Sequence, residues 1–365
     1  MYDYLVIGAG ASGMCFVDVI LRYTDKSVLL VDRRDGVGGH WRSTYPYATL
    51  HVPPERYGIE SIPLRSHTRQ GILDHFERAL DHFKTHKQFT FQPNTEIHTE
   101  ELDLDEYRYI VDARYNQVLQ YGSPCVTPWT LPMPDKSTSY AMFGNMKTCL
   151  DTCRMLYQHG CRDLTIVLQH AQYYFFQDRI PFNRKSFYIY KWFHRTMPMI
   201  TKLKWLFGSY YMFLGSSPTC MYQGDIWRDE FEMLKSVKLS VSDAHFCNGS
   251  LFTKDGREFV SNDECTIIDC RHSTETFTDP KPLMNDKSIV LQQLFVNHPC
   301  FSATTIAKLH VFKQKLGVRA IKTPKTLEES LNARVTMLEN IDRLRKSCIA
   351  EIIFQSRLNH IDITL

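Results

Sequence analysis

The sequence lacks any long apolar run. Its most apolar stretch beyond the N-terminus, "WLFGSYYMFLG" at 205–215, is about half as long as the roughly 20 residues that a transmembrane helix needs. The N-terminus has no basic segment that leads into an apolar run and a small-residue cleavage site, so no secretory signal is predicted. The 11 cysteines are odd in number and scattered, which is typical of reduced thiols. These absences together predict a cytoplasmic protein without a transmembrane segment.

A strong charge of either sign is also missing. The 43 Lys and Arg residues exceed the 40 Asp and Glu residues by 3, a balance that does not favour a nucleic-acid partner. Cys149 and Cys153 lie one helical turn apart with no further metal ligand nearby, so we interpret them as buried helix residues. Cys265 and Cys270 bracket the predicted strand "TIID". Five strand residues span about 16 Å, and a disulfide needs Cα atoms within about 7 Å. The sequence therefore predicts neither a metal site nor a redox disulfide.

The first feature that is present is a glycine pattern at the N-terminus. The stretch "YDYLVIGAGASGMCFVDVILRY" contains a short apolar strand, the turn Gly8-x-Gly10-x-x-Gly13 and a helical segment. A second strand, "SVLLVD", ends in Asp32, nineteen residues after Gly13. In this context the first glycine permits a tight turn, the second a close approach to pyrophosphate and the third a close helix-strand contact. The predicted ligand contacts of this turn are Gly8, Ala9, Gly10, Ala11, Ser12 and Gly13.

The segment after this strand, "VDRRDGVGGHWRSTYP", extends the predicted site. The adjacent glycines predict backbone that comes close to the dinucleotide. Trp41 either covers the ligand, the interpretation we favour, or closes the domain core, and a buried indole N–H needs a polar partner in both cases. His40, Arg42 and His51 are candidate acids or bases, but a structural or cofactor contact is favoured, so no catalytic residue is assigned. The predicted contacts of this segment are Asp32, Arg33, Gly39, His40, Trp41 and His51.

The strand, turn and helix pattern recurs after a linker at 122–137 that holds four prolines. In "SYAMFGNMKTCLDTCRMLYQHGCRDLTIVLQ" only Gly144 remains of the glycine turn, Met146 stands where a second glycine is expected, and Lys147 and Thr148 begin the helix. We therefore predict an α/β fold with two Rossmann-like dinucleotide-binding domains and a helical C-terminal segment. The first domain comprises 1–135 and 260–365, and the second, at 136–259, is inserted into it.

The region 171–215 is rich in aromatic residues, as in "QYYFFQDRIPF" and "FYIYKWF". Three interpretations stay open. The rings pack in an ordinary core, which we favour, or they line a channel for a small apolar substrate, or they contact a membrane peripherally. Nothing in the sequence indicates an oligomeric state.

The N-terminal motifs support a family resemblance. The stretches "LVIGAGASGM", "VLLVDRRDGVGGHWRSTYPYATLHVP" and "YGIESIPL" resemble flavin-containing monooxygenase-like proteins, and more narrowly a largely uncharacterised group of oxidoreductases with two dinucleotide sites. The resemblance continues in "YAMFGNMKTCLDTCRMLYQHGC", where that group has a G-x-G-K-T-x-x-D pattern, and in the terminal "SRLN" at 356–359. It implies FAD at the N-terminal glycine turn, at Asp32 and at the loop 39–41. It implies NADPH or NADH at Gly144, Lys147 and Thr148.

The resemblance implies an FAD-dependent oxidoreductase, monooxygenase-like, whose flavin is reduced by NAD(P)H. The alternative is an FAD-binding pseudoenzyme or sensor with a degenerate nicotinamide site, and a flavin-free dehydrogenase is disfavoured because it would not need two nucleotide units. Met146 departs from the group pattern, and "LQHAQ" at 168–172 lacks the arginine that usually binds the 2′-phosphate of NADPH. Arg271 and His272 stand where relatives carry small residues. We predict that NADPH binds weakly or not at all and is not preferred over NADH.

Overall fold

The computed structural model describes most of the chain. The described residues are 2–50, 52–98, 102, 106–114, 119–120, 125–144, 147–168, 172–176, 211–214, 223–242, 244–247, 249–273, 280–295, 298–322 and 327–358. Several residues of the sequence predictions lie outside these ranges, namely His51, Met146, residues 169–171 and most of the aromatic region. The expectations that depend on them remain predictions.

The first sheet has five parallel strands. Their spatial order is Ser288–Val290, Tyr107–Asp112, Tyr2–Ile7, Val28–Val31 and Phe89–Gln92. Leu5 and Val6 point to opposite faces of the sheet and are both fully buried. A strand that is covered on both faces is apolar throughout, which explains why "YLVI" shows no alternation.

Seven α-helices are assigned within the described residues: Ala11–Tyr23, Arg69–Phe83, Lys147–Gln158, Arg228–Leu234, Pro299–Val311, Leu327–Arg345 and Ala350–Phe354. Short 3-10 helices span Gly39–Arg42 and Pro54–Arg56. The helices Ala11–Tyr23 and Pro299–Val311 pack against each other and contribute to the largest hydrophobic core. No helix among the described residues is long and apolar enough to cross a membrane.

The second sheet has four parallel strands in the order Lys238–Val241, Leu164–Leu168, Tyr140–Phe143 and Thr266–Asp269. Three smaller sheets are also assigned among the described residues. Their strands are Gln172–Phe176, Tyr211–Leu214 and Gln223–Ile226; His245–Cys247, Ser250–Phe252 and Glu258–Val260; and the pair Leu119–Gln120 and His272–Ser273. Both large sheets place the first strand of the unit between its second and fourth strands. The predicted fold of two Rossmann-like units with a helical C-terminal segment is confirmed.

One predicted boundary needs a correction. The strand Thr266–Asp269 pairs in parallel with Tyr140–Phe143, so it belongs to the second sheet and not to the first, as a boundary at residue 260 would require. The chain returns to the first sheet only at Ser288–Val290, which pairs with Tyr107–Asp112. An apolar strand such as "TIID" is buried equally well in either sheet, so its composition does not indicate its partner. The pairing depends on tertiary contacts.

Candidate functional site

A cleft of about 230 Å³ opens at the carboxyl ends of the strands of the first sheet. Its wall includes residues of the glycine turn at 8–12, the segments 32–34 and 95–97, and Arg114 at the end of the fourth strand. Pro299, the first residue of the helix Pro299–Val311, also lines it. In open parallel sheets, ligands bind at this edge, where the direction of strand order reverses. The first strand has the second strand on one side and the fourth on the other, so the cleft lies at such a point.

The glycine turn has the backbone geometry that only glycines allow. Gly8 has a φ of +107° and donates its N–H to the Val31 carbonyl at 2.8 Å. A Cβ at Gly13 would lie 1.9 Å from the Gly8 carbonyl oxygen, so the helix can approach the turn only because this residue has no side chain. The helix Ala11–Tyr23 starts after Gly10 without a side-chain cap. Its N-terminal N–H groups face the cleft edge, an arrangement that favours an anion.

Asp32 is held in place beside this turn. Its side chain is 6 % exposed, and its two carboxylate oxygens accept the N–H groups of Ala9 at 2.7 Å and Arg34 at 2.9 Å. Each carboxylate oxygen has a second lone pair that these bonds leave available. The carboxylate can therefore still accept hydrogen bonds from the hydroxyl groups of a ligand in the cleft.

The double glycine contacts the turn directly. Gly39 has a φ of +57°, and a Cβ there would lie 2.8 Å from Gly10 Cα. Gly38, with a φ of +110°, donates its N–H to the Ala9 carbonyl at 2.9 Å. The close approach that the sequence predicts for these glycines therefore occurs between two backbone segments of the protein, and it leaves the wall of the cleft free of side chains at this point.

The other predicted contacts of this segment have different positions. Trp41 is 5 % exposed and lies in the core, where its Nε1–H donates to the Tyr57 hydroxyl at 2.8 Å, and it is Tyr57 that lines the cleft. His40 lines the cleft and is exposed. Arg33 is exposed as well and forms an ion pair with Glu96 at 3.6 Å. Of the two interpretations of Trp41, the structure therefore supports the core position. Its indole contacts Tyr57, and Tyr57 in turn lines the cleft.

Arg114 is a cleft residue that the sequence analysis missed. Its Nε and one terminal nitrogen donate to the two oxygens of Asp112 at 3.0 and 3.2 Å, and the other terminal nitrogen donates to the Ile97 carbonyl at 2.6 Å. The sequence contains a signal for it, because "VDAR" stands at the end of a predicted strand. Only the strand order shows that this end lies next to the glycine turn.

The second unit uses its helix start differently. Gly144 has a φ of +148°, and a Cβ there would lie 3.0 Å from the Cys270 carbonyl carbon. Lys147 is 2 % exposed, and its ammonium group contacts Asp151 at 3.3 Å and the buried carboxylate of Glu230. Arg154 adds a second cation to Glu230 at 3.7 Å. The lysine that was predicted to bind a nucleotide is thus paired with carboxylates of its own unit.

Asp151 also links the two units. Its carboxylate accepts the Tyr45 hydroxyl at 2.9 Å and both the N–H and the hydroxyl of Thr49 at 3.1 and 2.6 Å. Burial together with the neighbouring Asp151 raises the pKa of the Tyr45 phenol. The second helix therefore contacts, through Asp151, the chain that follows the double glycine.

Comparison with known proteins agrees with this fold. The family model of the NAD(P)-binding Rossmann-like domain matches residues 6–60. Uncharacterized proteins of Mycobacterium tuberculosis and Mycobacterium bovis are 29 % identical over 198 residues, which cover 44 % of this chain and 37 % of theirs. The chain thus matches little more than a third of the length of these curated relatives.

Solved structures match over nearly the whole chain. A cyclohexanone monooxygenase bound to ε-caprolactone has a TM-score of 0.55 at 14 % identity and covers 97 % of this chain and 99 % of its own. An FAD-bound form of OTEMO has a TM-score of 0.54 at 12 % identity, with 86 % and 83 % covered. The bacillithiol disulfide reductase Bdr of Staphylococcus aureus has a TM-score of 0.52 at 10 % identity, with 86 % and 99 % covered. At these identities the likeness establishes the fold: the chain has the fold of flavin-containing monooxygenases.

Proposed function

We propose that this protein is an FAD-dependent oxidoreductase, monooxygenase-like, whose flavin is reduced by NAD(P)H. The observation that carries the proposal is the cleft of the first unit. There, a glycine-rich turn, a helix N-terminus and the buried carboxylate of Asp32 converge at the switch point of a parallel sheet. These three elements suit the pyrophosphate and the ribose of a dinucleotide.

The residues of the cleft fit FAD as the ligand. A Cβ at Gly39 would lie 2.8 Å from Gly10 Cα, so these two backbone segments of the cradle can approach each other only because residue 39 is a glycine. Gly8, Gly10 and the helix N-terminus at 11–13 would bind the pyrophosphate, Asp32 the ribose hydroxyls, and Tyr57 with Pro299 would flank the remaining length of the ligand. Bound flavin would supply the redox chemistry, while this chain binds it, orients it and excludes water.

The nature of the substrate is part of the same proposal. Structures with this fold include cyclohexanone monooxygenase with bound cyclohexanone or ε-caprolactone. We propose a small apolar molecule as the substrate of this chain, and we place the protein in the cytoplasm, with peripheral membrane contact through the aromatic region as a further hypothesis.

The second candidate is an FAD-binding pseudoenzyme or sensor. One observation favours it: Lys147, the cation expected to bind nicotinamide dinucleotide, is neutralised by Asp151 and Glu230 inside the protein. Removing a charge from such a buried set leaves its partners uncompensated, so the lysine is not readily available to a phosphate. In this second function the flavin is held but is not reduced by a nicotinamide cofactor.

The absorbance spectrum of the purified protein tests the flavin assignment. We expect a band near 450 nm that elutes with the protein. Anaerobic addition of NADH or NADPH then separates the two candidates, because loss of the band supports the enzyme and a persistent band supports the pseudoenzyme. Protein that folds but binds no flavin, even when FAD is added, would contradict both.

Variants at the turn identify the site. Gly10→Val places a branched side chain in the proposed path of the pyrophosphate, and we expect the purified variant to contain less than a tenth of the wild-type flavin. Met133→Val serves as a control because this side chain is 82 % exposed and far from the turn in sequence. If Gly10→Val retains stoichiometric flavin, the cofactor is bound elsewhere.

A further inference from the structure

The two units end their fourth strands with the same arrangement. In the first unit the sequence is Asp112-Ala113-Arg114, and in the second it is Asp269-Cys270-Arg271. Both aspartates pair in register with the last residue of the first strand, Ile7 in one unit and Phe143 in the other. Each guanidinium group donates from Nε and a terminal nitrogen to both oxygens of its aspartate, at 3.0 and 3.2 Å for Arg114. The corresponding distances are 2.9 and 2.8 Å for Arg271.

The two arginines differ in what covers the flat face of the guanidinium group. Arg271 lies 5.0 Å from the ring centres of both Phe143 and Phe246, so its own unit supplies aromatic partners. Arg114 lines the cleft, and its side chain is 32 % exposed. In the part of the chain that the structure describes, no aromatic ring lies over it. The same group is thus covered by phenyl rings in one unit and faces a ligand cleft in the other.

We propose that Arg114 is one wall of an adenine subsite and that its guanidinium face stacks on the purine ring of a bound dinucleotide. This inference rests on the proposed function. The position agrees with it, because the guanidinium group bridges from Asp112 to the Ile97 carbonyl, across the end of the cleft that Arg33 and Arg34 also line. Ile7 stands at the position of Phe143, so the ring of the ligand takes the place that Phe246 occupies around Arg271.

Stacking fits this group better than a phosphate contact. Its charge is balanced by the carboxylate of Asp112, and three of its five N–H groups donate to Asp112 and Ile97, which leaves two for a phosphate. These hydrogen bonds also hold the guanidinium plane in one orientation. A planar cation with a fixed orientation presents its face to an aromatic ring, which a lysine ammonium group does not do.

The test compares Arg114→Lys with Arg271→Lys, two variants that keep the charge and lose the plane at matched positions of the two units. Binding of FAD, ADP and inorganic pyrophosphate is measured by calorimetry on the apoprotein, with thermal unfolding as a check on folding. Arg114→Lys should lower the affinity for FAD and ADP roughly three- to thirtyfold and leave the affinity for pyrophosphate unchanged. Arg271→Lys should change none of the three. Arg114→Leu, which lacks the charge as well, should lower the affinity for ADP at least as much as Arg114→Lys does.

Each result decides the question. If wild type binds ADP and both Arg114 variants bind it equally well, the adenine subsite is wrong while the flavin assignment stands. If pyrophosphate weakens in parallel with ADP in Arg114→Leu, the arginine contacts phosphate and the stacking inference is wrong. If wild type binds neither FAD nor ADP, the proposed function itself fails and this subsite with it.

Discussion

The two halves of this protein repeat one topology and differ at its functional edge. In the first unit, glycines stand at positions 8, 10 and 13 of the turn. At the same spacing the second unit has Gly144, Met146 and Cys149. A Cβ at Gly13 would lie 1.9 Å from a carbonyl oxygen, whereas Cys149 has a side chain and is buried with 1 % exposure. At this position the first helix therefore depends on a glycine, and the second helix does not.

The charges of the two units differ in the same direction. Asp32 in the first unit accepts backbone N–H groups and retains acceptor capacity towards the cleft. Lys147 in the second unit is buried between Asp151 and Glu230, and the face of Arg271 is covered by Phe143 and Phe246. In the first unit Asp32 and Arg114 line a cleft, whereas in the second unit Lys147 and Arg271 are engaged with side chains of their own unit. Two units with one topology can thus differ in how their described polar groups are used.

Substitution of the third glycine should show this difference most strongly. Gly13→Ala puts a Cβ against the backbone of Gly8, which cannot move aside, and we expect a loss of about 3 kcal/mol or more in the free energy of unfolding together with loss of flavin. Cys149→Ala at the matching position removes one buried sulfur and should cost roughly 1 kcal/mol. Urea denaturation measures both. Equal effects would show that the two helices approach their turns alike.

The buried lysine should matter for stability more than for ligand binding. Lys147→Met removes the cation that Asp151 and Glu230 share and leaves only Arg154, at 3.7 Å, beside Glu230, so we expect the free energy of unfolding to fall by about 3 kcal/mol. Adding Glu230→Gln should restore part of it. Lys238→Met is the control, since its pair with Asp163 is exposed to solvent and should contribute little to stability. A stable Lys147→Met variant that has lost nicotinamide binding would favour a nucleotide-binding lysine instead.

Nucleotide titration examines the second unit directly. From the sequence we expect NADPH to bind weakly, and no better than NADH, because the segment 168–172 has no arginine for the 2′-phosphate. The absence of one charge-assisted hydrogen bond lowers affinity roughly ten- to a hundredfold. Met146→Gly should tighten binding of both nucleotides if the methionine obstructs the phosphate. Low-micromolar binding of NADPH to wild type, well ahead of NADH, would remove the main support for a degenerate site.

Acid should weaken the first unit through His75. Burial lowers the pKa of His75 to about 4, so the unfolded chain takes up a proton below pH 6.5 while the folded protein does not. Stability is therefore lost as the pH falls from about 6.5 to 4, by about 1 kcal/mol per pH unit for this residue. His75→Gln should be less stable at pH 7 and should lose less on acidification. In the described part of the second unit, His159 and His245 are exposed, and no similar loss is expected from them.

Much of the fold could be predicted from the sequence because its signals are local. About thirty residues contain the glycine turn, the apolar strands around it and Asp32. The backbone geometry or burial of each of them depends on its immediate neighbours in the chain, so the local sequence is enough to predict it. The recurrence of this pattern at residue 140 was enough to predict a second unit. The placement of Cys149 and Cys153 as buried helix residues followed from their spacing and is confirmed.

The rest depended on which elements lie side by side, and that is decided by tertiary structure. The strand Thr266–Asp269 is apolar and would be buried in either sheet, so its composition does not select its partner. Lys147 resembles a phosphate ligand until Glu230, 83 residues later, is seen to neutralise it. Arg114 became a site residue only when its strand paired beside the glycine turn. The sequence by itself determined the local units and one ligand turn. The contacts between distant segments decided which charges stay open to a ligand, because burial and pairing are properties of neighbours in space.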